Sequence, residues 1–176
     1  MIEVEIRSFL TEEQYQELLK FFKENSEFIK EDCQETHYFN CREDLRIQKN
    51  NFFSKIWMKK GRIHDDSREE IEIKFDRGDF EKLSNLFFSL GYDIEIKWFR
   101  KRFEFKWQEI DVMLDYTKGY GYILELEILT DEKNKQKTLE LLKQKLQTLN
   151  IEETPKQEFD EKYDYYRKNW RNLIRQ

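Results

Sequence analysis

The chain has 176 residues, with 32 Lys plus Arg against 37 Asp plus Glu, and 16% of it is aromatic. That ring content supplies a core and excludes a disordered polar chain, despite a mean hydropathy of -0.96. A net charge of -5 of mixed sign disfavours non-specific nucleic-acid binding, and no apolar run approaches the roughly 18–20 residues that span a bilayer.

Ile2-Glu3-Val4-Glu5-Ile6-Arg7 alternates apolar and charged residues, the period of a half-buried strand. Thr11 to Asn25 is predicted to be a helix: Thr11-x-x-Gln14 is a capping box, and Tyr15, Leu18, Leu19 and Phe22 share a face. Strands follow at Thr36–Asn40, Leu45–Gln48, Lys55–Lys59 and Glu70–Phe75. A second helix, Asp79 to Leu90, takes Asp79 as its N-cap and ends at Gly91. Three more strands, Phe99–Trp107, Asp111–Asp115 and Leu124–Ile128, precede a helix from Asp131 to Leu149 with Leu139, Leu142, Leu146 and Leu149 on one stripe. The last helix, Phe159 to Ile174, spaces Tyr163, Tyr166, Trp170 and Leu173 helically. It either caps the sheet or meets a second subunit, so the chain is read as a monomer or homodimer.

The short turns between strands imply antiparallel pairing. No repeat or Pro/Gly-rich linker divides residues 1–176, which read as a single domain, and no charged-then-apolar leader opens them. Cys33 and Cys41 fit reduced thiols of a cytoplasmic protein, and His37 and His64 have no zinc spacing.

Each strand carries one apolar and one charged face. The plain reading is a sheet with helices on one side and water on the other. A second reading starts from segregation: acids gather at Glu3, Glu5, Glu125 and Glu127, and bases at Arg46, Lys59, Arg100 and Arg102. In a barrel with a charged lumen, both signs need satisfying, and a polyanion bridged to the acids through Mg²⁺ or Mn²⁺ would do so.

The motifs resemble those of the CYTH superfamily, the triphosphate tunnel metalloenzymes, which includes class IV adenylyl cyclases and thiamine triphosphatases. Glu3-x-Glu5-x-Arg7 is similar to its ExExK opening, and Leu45-Arg46-Ile47-Gln48 to its Leu-Arg-x-Arg strand. Met58-Lys59, Arg68-x-Glu70-x-Glu72 and Arg100-x-Arg102 follow in the family's order. Asp115, Gly119-Tyr120-Gly121 and Glu125-x-Glu127 resemble its ending.

The resemblance implies an α+β fold, an eight-stranded antiparallel β-barrel flanked by about four helices. It implies metal held by Glu3, Glu5, Asp115, Glu125 and Glu127, with Arg7 beside the catalytic acids. Arg46, Lys59, Arg68, Arg100 and Arg102, with Glu70, would hold a triphosphate such as tripolyphosphate, ATP or thiamine triphosphate. Hydrolysis is the expected reaction; cyclisation of ATP to cyclic AMP and pyrophosphate, or triphosphate binding without turnover, are the alternatives. Five positions depart from the pattern: Arg7 replaces Lys, Gln48 replaces the second Arg of its strand, Thr36 and Asn40 stand where acids are usual, and Lys74 adds a cation beside the Arg68-x-Glu70-x-Glu72 run.

Overall fold

A computed structural model describes residues 2–59 and 70–175, Lys59 and Glu70 by their backbone only. The strands are β1 (Ile2–Leu10), β2 (Glu27–Phe39), β3 (Asp44–Lys49), β4 (Ser54–Lys59), β5 (Glu70–Phe75), β6 (Ile94–Trp107), β7 (Ile110–Thr117) and β8 (Gly121–Thr130). The helices are α1 (Glu12–Asn25), α2 (Phe80–Ser89), α3 (Lys135–Thr148) and α4 (Lys156–Leu173). None is long and apolar enough to cross a membrane.

All strands join one antiparallel sheet in the order β1-β8-β7-β6-β2-β3-β4-β5. The sheet curls into the expected tunnel, with an open seam: no ladder joins β1 to β5 among the described residues. Its convex side buries Val4, Ile6, Phe105, Val112, Leu124 and Leu126 beneath α1 and α3. A second apolar cluster, with Phe39 and Ile47 against Phe80 and Phe87, seats α2. The capping box of α1 forms as expected, with Gln14 N–H donating to Thr11 Oγ1 at 3.2 Å and Thr11 N–H to Gln14 Oε1 at 2.9 Å. At α2 the cap moves back: Asp79 makes no side-chain cap bond, and Asp76 accepts from Gly78 N–H at the head of a 3-10 turn.

α4 departs from the other helices and lies on the concave side. Tyr166 and Trp170 are buried with Ile96, Tyr120 and Ile123, and Phe9, Tyr38 and Trp98 pack around them. Apart from Tyr120 in the β7–β8 turn, those sheet residues come from β1, β8, β6 and β2, so one helix touches strands far apart in the sheet order, which requires the sheet to curl. Tyr166 Oη donates to the Lys97 carbonyl at 2.8 Å, and Trp170 Nε1 to that of Glu95 at 2.7 Å. Gly119 turns β7 into β8 with φ +74°, and a Cβ there would lie 2.6 Å from Leu173 Cβ. The glycine therefore answers both a left-handed backbone and the close approach of α4.

On the convex side Glu35 accepts from His37 at 2.8 Å and Lys49 at 2.9 Å, and Lys49 reaches Glu81 of α2 at 3.3 Å. The His37 hydrogen bond, aided by Lys49 and opposed by burial, pulls the Glu35 carboxyl down to about 2. Its folded-state value lies below its unfolded one, so this stability is present above pH of about 4.5 and lost as pH falls toward 2. Glu35→Gln should cost about 2 kcal/mol in urea unfolding at pH 7 and little at pH 2.5.

Candidate active site

Alternation builds the concave face. The phase that buries Val4 and Ile6 outward turns Glu3, Glu5, Arg7 and Phe9 inward. Strand register then places Glu125 opposite Arg7, Glu127 opposite Glu5, Asp115 opposite Arg102, and Gln34 opposite Arg100. The face is consequently sorted along the strands into levels. Phe9, Ile123, Trp98 and Tyr38 meet α4 at one end, with Arg46 opposite Tyr38; Arg7, Arg100 and Arg102 come next along their strands, and Glu5 and Glu127 follow beyond them.

At the acidic level, carboxylate oxygens of Glu5, Glu125 and Glu127 all lie within 4.8 Å of one another. Their environments differ. Burial, the charge of Glu3 and that of Glu125 push Glu127 up to about 7. Burial and Glu125 also push Glu5 up, although Arg7 pairs with it. For Glu125 burial works in the same direction but is overcome by Arg102 and Arg7, and the carboxyl lies well below its usual range. Glu3 stands beside this group at the exposed start of β1.

The basic level is held by Asp115, 2% exposed. Arg102 donates to both of its oxygens at 2.7 Å and reaches Glu125 at 3.3 Å, and Arg100 approaches the same Asp115 carboxylate at 3.3 Å. Asp115 thus faces the arginines and stands apart from the three clustered acids. Arg100 also donates to Gln34 Oε1 at 2.8 and 2.6 Å. Arg46 is bound by Asp44 at 2.6 and 2.5 Å and stacks 4.3 Å over the Tyr38 ring. Lys59 is the register partner of Asp44 and of Glu70. Arg68 lies outside the described residues.

Sequence reasoning passed over Asp32, Gln34, Asp44 and Lys55 as site residues. Lys55 pairs with Glu72 at 2.7 Å and stacks 4.5 Å over Trp57. The available signal was phase: Gln34 and Tyr38 alternate in step with Thr36, and Lys55 with Trp57 and Lys59.

A curled antiparallel sheet with three helices outside, one inside, and a concave face sorted into acidic and basic levels defines a tunnel-type α+β protein. The CYTH domain family model matches residues 1–163, and the chain belongs to that family. A Methanocaldococcus jannaschii protein provisionally named an adenylate cyclase is 37% identical over 164 residues, covering 86% of this chain and 91% of its own. Among solved structures, a Pyrococcus horikoshii protein superposes with TM-score 0.68 at 25% identity, over 86% of this chain and 92% of its own. A Hippeastrum protein, provisionally called an adenylyl cyclase and described with a dominant triphosphatase activity, gives TM-score 0.64 at 18% identity, over 85% and 87% of the two chains.

Proposed function

We propose that the concave face binds the triphosphate of a small molecule and hydrolyses a phosphoanhydride, with Mg²⁺ or Mn²⁺ held by Glu5, Glu125 and Glu127 and assisted by Glu3. The observation that carries this reading is the carboxylate cluster within 4.8 Å, with Glu125 itself 3.3 Å from Arg102. Carboxylates raised by burial and by one another, as Glu5 and Glu127 are, suit a hard dication with oxygen ligands. When bound, the cation would supply positive charge to phosphate oxygens as the anhydride breaks.

The remaining work belongs to the chain. Arg102, oriented by Asp115, and Arg100 beside it offer planar donors to phosphate oxygens, and Arg46 extends the basic wall; Lys59 and Arg68 are assigned phosphate contacts by the family pattern. Glu70, the backbone register partner of Lys59, is assigned to the substrate-binding set by the same pattern. Arg7 keeps its proton, since burial is outweighed by Glu125 and Glu5 and a guanidinium does not release one near neutrality. A proton leaving the attacking water must therefore pass to a carboxylate.

Hydrolysis is favoured over cyclisation by how the aromatic side chains are used. Trp98 packs against Tyr120 at 4.6 Å and Tyr166 at 4.9 Å, and buried Trp57 lies under Lys55 and Arg46. Neither ring is free to stack on adenine. The activity described for the Hippeastrum protein points the same way. The name of the M. jannaschii relative supports the second reading, cyclisation of ATP.

Protein supplied with Mg²⁺, and separately with Mn²⁺, should release orthophosphate from tripolyphosphate, with products identified by mass. Cyclic AMP with pyrophosphate from ATP would establish the second reading. Binding of tripolyphosphate without any product would leave a binding module.

A further inference from the structure

Arg7, Arg46, Arg100 and Arg102 face the concave side, and each of the others is matched by a carboxylate in a way that Arg100 is not. Arg7 pairs with Glu5, and Arg46 takes both oxygens of Asp44. Arg102 takes both oxygens of Asp115. Two nitrogens of Arg100 donate instead to a neutral oxygen, Gln34 Oε1, at 2.8 and 2.6 Å. Its one contact with Asp115, at 3.3 Å, goes to an oxygen that Arg102 already occupies at 2.7 Å.

Gln34 is itself held. Its amide nitrogen donates to Asp32 Oδ2 at 2.9 Å, and Asp32 Oδ1 accepts the Asn51 N–H at 2.9 Å. Asp32 is fully buried. With a guanidinium on one side and a carboxylate on the other, the amide has one sensible orientation, oxygen toward Arg100. An amide oxygen fixes the guanidinium plane but contributes no negative charge, so the cation remains available to a ligand. Burial and neighbouring Arg102 make that charge costly until an anion arrives.

We propose that Gln34 is a positioning residue that fixes Arg100 without neutralising it, making Arg100 the chief anion-binding group of the concave face; this rests on the triphosphate reading above. The negative charge that could have matched Arg100 sits one inward position away, on Asp32.

The test exchanges amide and acid in the double variant Asp32→Asn/Gln34→Glu. Net charge is kept, and each hydrogen bond has an equivalent: the amide placed at position 32 donates to the carboxylate placed at position 34, which accepts from Arg100. Only the position of the negative charge changes. Titration calorimetry of the full chain with tripolyphosphate and Mg²⁺ should show affinity lowered about tenfold or more, the scale of one charge-assisted bond. The thermal midpoint should stay within about 5 °C of the wild type. Unchanged affinity in the folded double variant overturns the role of Gln34 and leaves the triphosphate reading standing. Absence of tripolyphosphate binding by the wild-type chain overturns both. If the double variant does not fold, Gln34→Met decides: it removes the acceptor at similar volume, and affinity must again fall, with unchanged affinity overturning the proposal.

Discussion

Glu5→Gln should lower divalent-cation-dependent release of orthophosphate from tripolyphosphate by about 10³-fold while the chain stays folded. The substitution keeps side-chain volume and an oxygen that can still accept from Arg7. It removes one of the charges concentrated within 4.8 Å beside Glu125 and Glu127. A readout independent of turnover accompanies it. Glu127 holds its proton up to about 7 in the folded chain, whereas a free carboxyl releases it near 4.5, and Glu5 is raised in the same sense. Between those pH values the folded state binds more protons than the unfolded one. Metal-free wild-type protein should therefore lose stability as pH rises from about 5 through 7. Mg²⁺ should restore that stability at pH 8, and the restoration should be much smaller in Glu5→Gln. Thermal unfolding across this range checks both statements. Undiminished turnover, or equal stabilisation by Mg²⁺ in both proteins, would remove Glu5 from the cation site.

The sheet was legible wherever its two faces differ. A strand such as Ile2–Arg7 alternates cleanly because one side meets helices and the other a charged interior. Glu70–Phe75 alternates as cleanly although its apolar side is open, with Ile71 46% and Ile73 60% exposed. The early half of β2 was not legible. Glu27 to Cys33 is largely exposed, with buried Asp32 the exception, so no apolar period marks it as a strand. What defines it is a partner distant in sequence, since Glu27 to Phe39 runs alongside Ile94 to Lys106. The acids of the first and last strands were also legible as a pair, and register brings Glu5 opposite Glu127.

The departures from the family pattern had a meaning that a linear reading could not give. Thr36 and Gln48 read as separate losses, one of an acid and one of a base. In the sheet they are register partners, and Gln48 Nε2 donates to Thr36 Oγ1 at 2.9 Å. Both are buried, and a neutral hydrogen bond there leaves no charge unmatched when either side is read alone. The two departures meet in a single hydrogen bond. The same geometry bears on Arg46, which reads as a free phosphate clamp in sequence but is already engaged by Asp44 and Tyr38. A residue's type was visible from the chain; whether its charge was already used was not.

Arg102→Met should destabilise the fold by about 3–5 kcal/mol at pH 8, the largest stability effect expected on the concave face. Arg102 is 15% exposed at its side chain and Asp115 only 3%, so their bidentate contact is shielded from water. Removing the guanidinium leaves Asp115, among the described residues, with one cationic contact, that of Arg100 at 3.3 Å. It also takes away the leading cation that overcomes burial at Glu125, whose carboxyl should then rise. A folded-state value that rises means stability lost with increasing pH, so the deficit should be deepest in alkali and shrink toward pH 5. Urea unfolding at the two pH values measures this directly. Arg102→Met/Asp115→Leu should recover at least half of the loss, because an apolar pair replaces an orphaned carboxylate. A single-variant cost below about 1 kcal/mol, within the range of exposed ion pairs, would mean that water enters the basic level freely. Asp115 would then not be what holds the arginines in place, and their orientation would have to come from Gln34 and the bound anion. A large loss relieved by the double change instead makes Asp115 the fixed point about which the phosphate-binding wall is built.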